Sequence, residues 1–156
     1  MSTMAKQIID NNKFTGVRLP TGVKPTHYDI SLKPNFEKFT FDGKVKIDYV
    51  SLGDSKPENI VLHANDIVIN DGTLQAGSTS GALKTVTYSQ KSETATLEFE
   101  HGIAPSGTLT LNFTGILNDK MRGFYKTTYK IEGTQVFAAT TRFEVGVLVY
   151  YDTQLC

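Results

Sequence analysis

The side chains able to hold a metal or move a proton are few and scattered. Three histidines, His27, His63 and His101, are the only imidazoles. No two stand one helical turn apart, so an H-E-x-x-H arrangement, which sets two imidazoles on one helix face, cannot be built. The single thiol, Cys156, rules out an internal disulfide and a multi-cysteine zinc site. The chain has no G-x-S-x-G elbow and no glycine-rich phosphate loop. Glu93, Glu98 and Glu100 form a carboxylate cluster, but they flank an apolar alternation, as side chains on a solvated strand face do. Asn112-Phe113-Thr114 fits the glycosylation sequon, with Asn112 on the polar side of its segment. The expectation is a chain with no catalytic or metal-ligating residue of its own.

The elements that must position these groups read as strands. Tyr28, Ile30 and Leu32 alternate with His27, Asp29 and Ser31, and Val45, Ile47 and Tyr49 alternate with Lys44, Lys46 and Asp48. A period of two places apolar side chains on one face and polar ones on the other. About ten such segments recur at roughly 8–12-residue spacing, with no amphipathic helix between them, which is the pattern of an all-β sandwich or open barrel. Turns are expected at Asn70-Asp71-Gly72, between Gly77 and Gly81, at His101–Gly107, and at Glu132-Gly133-Thr134. Met1–Asn12 is expected to be a loose leader with at most one helical turn.

Composition narrows the partners. Sixteen basic residues balance sixteen acidic ones over 156 residues, so the basic excess of a duplex-binding domain is missing. The aromatics Phe36, Phe39, Phe41, Tyr49, Phe99, Phe113, Phe124, Tyr125 and Phe137 recur mostly at strand spacing, as packing residues do rather than a base-stacking platform. No apolar run approaches the roughly 18 residues of a membrane span. Neither nucleic acid nor membrane is expected as a partner. With no signal-like apolar stretch in Met1–Asn12 and one cysteine, a reducing, cytoplasmic location is expected.

Five segments, in order, resemble one family. Arg18-Leu19-Pro20-Thr21-Gly22-Val23-Lys24-Pro25-Thr26-His27-Tyr28-Asp29-Ile30 is similar to the L-P-x-x-V-x-P-x-H-Y-D-L opening of the aminopeptidase N and puromycin-sensitive aminopeptidase family of zinc metallopeptidases. Phe41-Asp42-Gly43-Lys44-Val45-Lys46-Ile47 resembles its F-x-G-x-V-x-I strand, and Ile60–Ala64 its next strand. Phe113–Tyr125 resembles F-x-G-x-L-N-D-x-M-x-G-F-Y, and Ala139-Thr140-Thr141-Arg142-Phe143-Glu144 resembles A-T-T-Q-F-E. The flavour is that of a fungal cytosolic enzyme.

The resemblance implies an antiparallel, saddle-like β-sandwich, incomplete at its C-terminal end. It divides the chain into a flexible leader (1–15), an aminopeptidase-type N-terminal β domain (16–144) and a divergent tail (145–156). In the family, zinc, the H-E-x-x-H helix and the G-A-M-E-N segment belong to a catalytic domain whose motifs are absent here. The expectation is therefore a non-catalytic fragment, truncated before that domain, with no cofactor of its own.

By the same resemblance, Glu144 is the anionic anchor for the free amino group of a peptide. Arg142 stands where the family has glutamine. In an extended strand residues 142 and 144 share a face. A carboxylate–ammonium hydrogen bond contributes about 1.5–3 kcal/mol, and two like charges about 5 Å apart repel by roughly 3 kcal/mol at an effective dielectric near 20. Arg142 thus opposes amine binding about as strongly as Glu144 favours it.

Val145–Tyr151, uncharged and β-branched, is expected to be aggregation-prone and to promote self-association with unpaired strand edges. A stand-alone β-sandwich module that binds peptide or protein, and an inert gene remnant, are the competing readings.

Overall fold

The computed structural model describes residues 4–10, 18–53, 57–121 and 123–142. Ten strands are present among the described residues: β1 (Lys6–Ile9), β2 (Val23–Asn35), β3 (Thr40–Ser51), β4 (Ile60–His63), β5 (Ile67–Ala76), β6 (Thr79–Ser89), β7 (Thr94–Phe99), β8 (Ser106–Ile116), β9 (Gly123–Ile131) and β10 (Thr134–Arg142). No helix occurs among the described residues. The all-β class expected from the alternation is the class observed.

Seven strands run in the order β2-β3-β8-β5-β6-β7-β4, and β1 joins the same sheet through β6. The sheet curls into a half-barrel, and β9 and β10 form a separate two-stranded sheet. β6 carries the curl. Thr79–Ala82 pair with β5, whereas Thr85–Tyr88 are flanked by β7 and β1. A register shift between Leu83 and Thr85 marks the hand-over, as bulges do where a sheet must bend.

One face of the curl is the core. Phe41, Val45, Ile47 and Tyr49 of β3 face Leu109, Leu111 and Phe113 of β8, and Ile69, Val86 and Leu97 continue the layer. Each is at most 5 % exposed, so period-two alternation has delivered its apolar set to one side. On the opposite face Asp29 stands across from Lys46 and Lys33 from Asp42. Opposite charges at cross-strand positions favour this register over a slip.

Two expectations are corrected. Residues 6–9, assigned to a loose leader with at most a helical turn, are a strand paired in parallel with Thr85–Tyr88. Gln7 Nε2 also donates to the Ile69 carbonyl at 2.8 Å, tying β1 to β5. Asn70-Asp71-Gly72, expected as a turn, lies inside β5. The pairing of β5 with β8 shifts register between Ile69 and Asp71, so the extra residue is absorbed as a bulge. Gly72 is used there for close approach: a Cβ would sit 2.6 Å from Leu111 Cδ2 and 2.9 Å from the Thr110 carbonyl oxygen.

Candidate functional site: the β9–β10 ribbon

The ribbon is seated on a lock made by two F-x-G triplets. Phe41-Asp42-Gly43 lies on β3 and Phe113-Thr114-Gly115 on β8, and the antiparallel register sets Gly43 against Phe113 and Phe41 against Gly115. Each ring covers the opposing glycine. A Cβ on Gly43 would fall 2.3 Å from the Phe113 ring, and one on Gly115 would fall 2.3 Å from the Phe41 ring. The two rings meet edge to face at 6.2 Å. Phe41 also meets Phe124 of β9 at 5.1 Å and 83°. Phe39, in the β2–β3 turn, meets Phe137 of β10 at 5.1 Å, and Lys126 Nζ stands 4.1 Å from the Phe39 centroid.

The connection from β8 into the ribbon is fixed by backbone and by one asparagine. Leu117 N donates to the Phe39 carbonyl and Lys126 N to the Asn118 carbonyl. Asn118 Oδ1 accepts from Lys120 N at 2.8 Å, closing a local side-chain turn. The L-N-D-K-M stretch is therefore a hinge pinned at both ends, and the following G-F-Y inserts Phe124 beside Phe41.

Pairing along the ribbon runs from Thr134–Ile131 to Arg142–Gly123. One face presents Phe124, Lys126 and Phe137 to the Phe39–Phe41 shelf. The other carries Tyr125, Tyr129, Ile131, Val136 and Thr140, with Arg142 at its end. Arg142, a residue expected at the substrate, is exposed as the last described residue of β10. Glu144 and the tail from Val145 lie outside the described residues, so the Arg142–Glu144 pair expected from strand geometry lies outside them too. The apolar outer face of the ribbon was missed by sequence reading. Its signal, Tyr125, Tyr129 and Ile131 at even spacing within a hairpin, looks the same as core packing.

The three histidines lie apart from one another. His27 is exposed on β2, His63 sits on β4 at the other end of the sheet order, and His101 lies in the β7–β8 turn against Gly81. Among the described residues no group of three His, Cys, Asp or Glu side chains is placed to hold a metal. These residues do not fit a zinc ion. An apolar cleft between β2–β3 and β4 is lined by Tyr28, Ile47, Tyr49, Ile60 and Leu62. The Tyr49 hydroxyl is buried with no hydrogen-bond partner among the described residues, and burial pushes its pKa up. Asn112 is half-buried in the sheet and its Nδ2 donates to Asp71 Oδ1 at 2.6 Å, so the sequon amide is already engaged.

The Peptidase M1 N-terminal domain family matches residues 24–146. The chain belongs to this family. It is 36% identical over 132 residues to the alanine/arginine aminopeptidase of Saccharomyces cerevisiae. It is 39% identical over 131 residues to the puromycin-sensitive aminopeptidase of Caenorhabditis elegans, and 38% identical over 135 to aminopeptidase M1 of Arabidopsis thaliana. Each match covers 81% of this chain but only 14–15% of the relative. The matched residues take in the curled sheet from β3 to β8 and nearly all of β2, both F-x-G triplets and the ribbon, while β1 lies outside them. No helix among the described residues is long and apolar enough to cross a membrane.

Proposed function

We propose that this chain serves as the N-terminal domain of a zinc aminopeptidase, supplying framework and substrate contact rather than a hydrolytic group. The observation that carries the reading is the family match over residues 24–146, which takes in the whole ribbon and reaches past Arg142. Zinc and the groups that activate water sit, in this reading, in the part of the enzyme outside this domain. Arg142 ends β10, and Glu144, two residues on in the sequence, is the residue that receives the free amino group of a peptide. Glu144 attracts the ammonium and Arg142 opposes it, so this enzyme grips the amine more weakly than a relative with glutamine at the Arg142 position. The location is cytoplasmic, and the tail and open sheet edges favour self-association.

Two measurements test this. The purified chain is expected to hydrolyse no aminoacyl-arylamide, with or without added zinc; zinc-dependent turnover by the chain alone would end the reading. A chimera in which this chain replaces the matched 132 residues of the yeast alanine/arginine aminopeptidase is expected to be active. A folded chimera without activity would count against the domain's proposed role.

A further inference from the structure

The curled sheet ends in β2 on one side and β4 on the other, and the two edges differ. β4 has four residues and β2 thirteen. Among the described residues β2 pairs only with β3. A long edge strand offers a row of backbone donors and acceptors to another chain. Two prolines stand on it, Pro25 across from Tyr49 and Pro34 across from Phe41. Proline has no N–H to give to a ladder, so in a strand it takes positions whose nitrogen faces the open edge. Pro25 and Pro34 fall on opposite alternation, and the register shift between Pro25 and His27 brings both to the open side. Backbone groups along an antiparallel strand turn in alternate pairs to one neighbour and then the other. Ile30 and Leu32, which share the alternation of Pro34, therefore present N–H and C=O at the open edge.

The side chains choose the partner. Asp29, Ser31 and Lys33 are exposed on one face of β2. On the other face Tyr28 and Leu32 pack on the core cluster, with Ile30 exposed between them. An antiparallel copy of β2 with its two-fold axis at Ser31 sets Asp29 of each chain against Lys33 of the other, and Ile30 of each against Leu32 of the other. An axis at Ile30 would set His27 against Lys33, and an axis at Asp29 or Lys33 would set like charges together. Within each chain Lys33 already stands across from Asp42, and Asp29 across from Lys46. The Ser31 axis therefore continues one alternating row, Asp42–Lys33–Asp29–Lys46, through four strands of two chains. Opposite charges at facing cross-strand positions stabilise a pairing and like charges oppose it. We propose that β2 is a self-pairing edge, through which two copies of this chain join antiparallel over residues 28–34 about Ser31. Ile30 and Leu32 exchange backbone hydrogen bonds across the axis, and Pro34, with no donor, ends the ladder. The contact is smaller than the roughly 1,200 Å² of a standard interface, so the dimer is weak, with Kd on the order of 100 μM. This deepens the self-association given under Proposed function by naming its edge and register.

Sedimentation equilibrium of the full chain with reversed charges tests the pairing. Asp29→Lys alone sets cations together at both charged positions of the dimer, and Lys33→Glu alone sets anions together. Each is expected to weaken dimerisation about tenfold or more. Mixed one to one, the two variants recover both opposite-charge pairs, and the mixture is expected to dimerise within about threefold of wild type. Any cost of either substitution against β3 is carried unchanged into the mixture, so recovery cannot come from folding. A wild-type chain that stays monomeric at about 500 μM would overturn the proposal. So would a mixture that dimerises no better than its components. Dimerisation unaffected by either substitution would place self-association in the tail or at another edge, and would overturn this pairing while leaving self-association itself standing. A second measurement is independent of charge. Residues on the axis face each other about 4.5 Å apart between Cα atoms, within disulfide reach, so Ser31→Cys in a Cys156→Ser background is expected to give a covalent dimer on mild oxidation. Absence of that dimer would also overturn the proposal. No readout here involves catalysis, so an inactive chimera leaves the edge pairing standing, and a monomeric chain leaves the enzymatic reading standing.

Discussion

Replacing Gly43 by alanine probes the lock directly. The new Cβ would stand 2.3 Å from Phe113 Cε2 and Cζ, where ordinary contact begins near 3.4 Å, so the ring must retreat by more than 1 Å. Phe113 is 4% exposed and meets Phe41 edge to face, so it has little free space to enter. Overpacking of this kind costs about 1–3 kcal/mol, and disturbing the aromatic pair removes some of the roughly 0.5–1.5 kcal/mol such pairs contribute. Alanine returns about 0.4–1 kcal/mol through the unfolded chain. The expected net loss is about 2 kcal/mol, or about 4–8 °C in Tm for a chain of this size.

Urea unfolding followed by far-UV circular dichroism measures this loss. The decisive comparison is the double-mutant cycle with Phe113→Leu. Without the ring the Cβ has room, so Gly43→Ala is expected to cost less than about 1 kcal/mol in that background, a coupling of about 1 kcal/mol or more. A Gly43→Ala variant within about 0.5 kcal/mol of wild type, or strictly additive costs, would refute the lock.

Three other outcomes are expected. Burial holds the Tyr49 phenol above its ordinary pKa of 10.0, and burial outweighs the Ile69 N–H hydrogen bond to do the same at Tyr88. The folded state then keeps protons that the unfolded chain has released, so this stability is present below pH 10 and falls as pH rises past it. Tyr49→Phe should therefore move the alkaline unfolding midpoint upward, with Tyr88 leaving a residual loss; an unchanged or lower midpoint in a pH titration would contradict this. Asn112→Asp sets a carboxylate against Asp71 in place of a 2.6 Å hydrogen bond; it should cost about 1–3 kcal/mol at neutral pH and less under acid, as one carboxyl takes up a proton. In the yeast chimera, Arg142→Gln should lower KM for aminoacyl-arylamides about tenfold or more, as removal of roughly 3 kcal/mol of opposed charge, partly screened, allows; an unchanged KM would take Arg142 away from the amine.

The sequence revealed the fold class because alternation is a local property. Val45, Ile47 and Tyr49 announce their face without reference to any other strand. What it did not reveal is non-local. Lys6–Ile9 is short and polar-flanked, and only its pairing with β6 makes it a strand. Asn70-Asp71-Gly72 carries a sound turn signal, but the pairing of β5 with β8 holds the chain extended and turns the surplus residue into a bulge. For the candidate site, the Glu132-Gly133 hairpin was legible, and both residues do adopt positive φ, 50° and 82°. That one ribbon face is covered and the other open was not legible, because occupancy depends on Phe39 and Phe41 far away in sequence. Arg142 was legible as a strand-end charge, while the geometry of its expected partner Glu144 falls outside the described residues.

Two of the five segments that carry the family resemblance, those beginning at Phe41 and at Phe113, meet at one place, and their role there is mechanical. F-D-G, F-T-G, L-N-D and G-F-Y all converge where β3, β8 and β9 join, and none supplies a proton or a metal ligand. They set the base from which the ribbon projects, and so the direction in which Arg142 is delivered. The two glycines of the lock are not equivalent in this respect. Gly43 makes room for Phe113, which faces the main sheet, whereas Gly115 makes room for Phe41, whose other edge holds Phe124 of the ribbon. Gly115→Ala must therefore act at a distance: displacing Phe41 loosens Phe124 without altering any exposed residue. Hydrogen exchange in residues 123–142 should quicken several-fold more in Gly115→Ala than in Gly43→Ala at matched global stability. If the two variants loosen the ribbon equally, Phe41 is not the link between the lock and the ribbon, and the ribbon's orientation is set by the Phe39 contacts and the Asn118 turn.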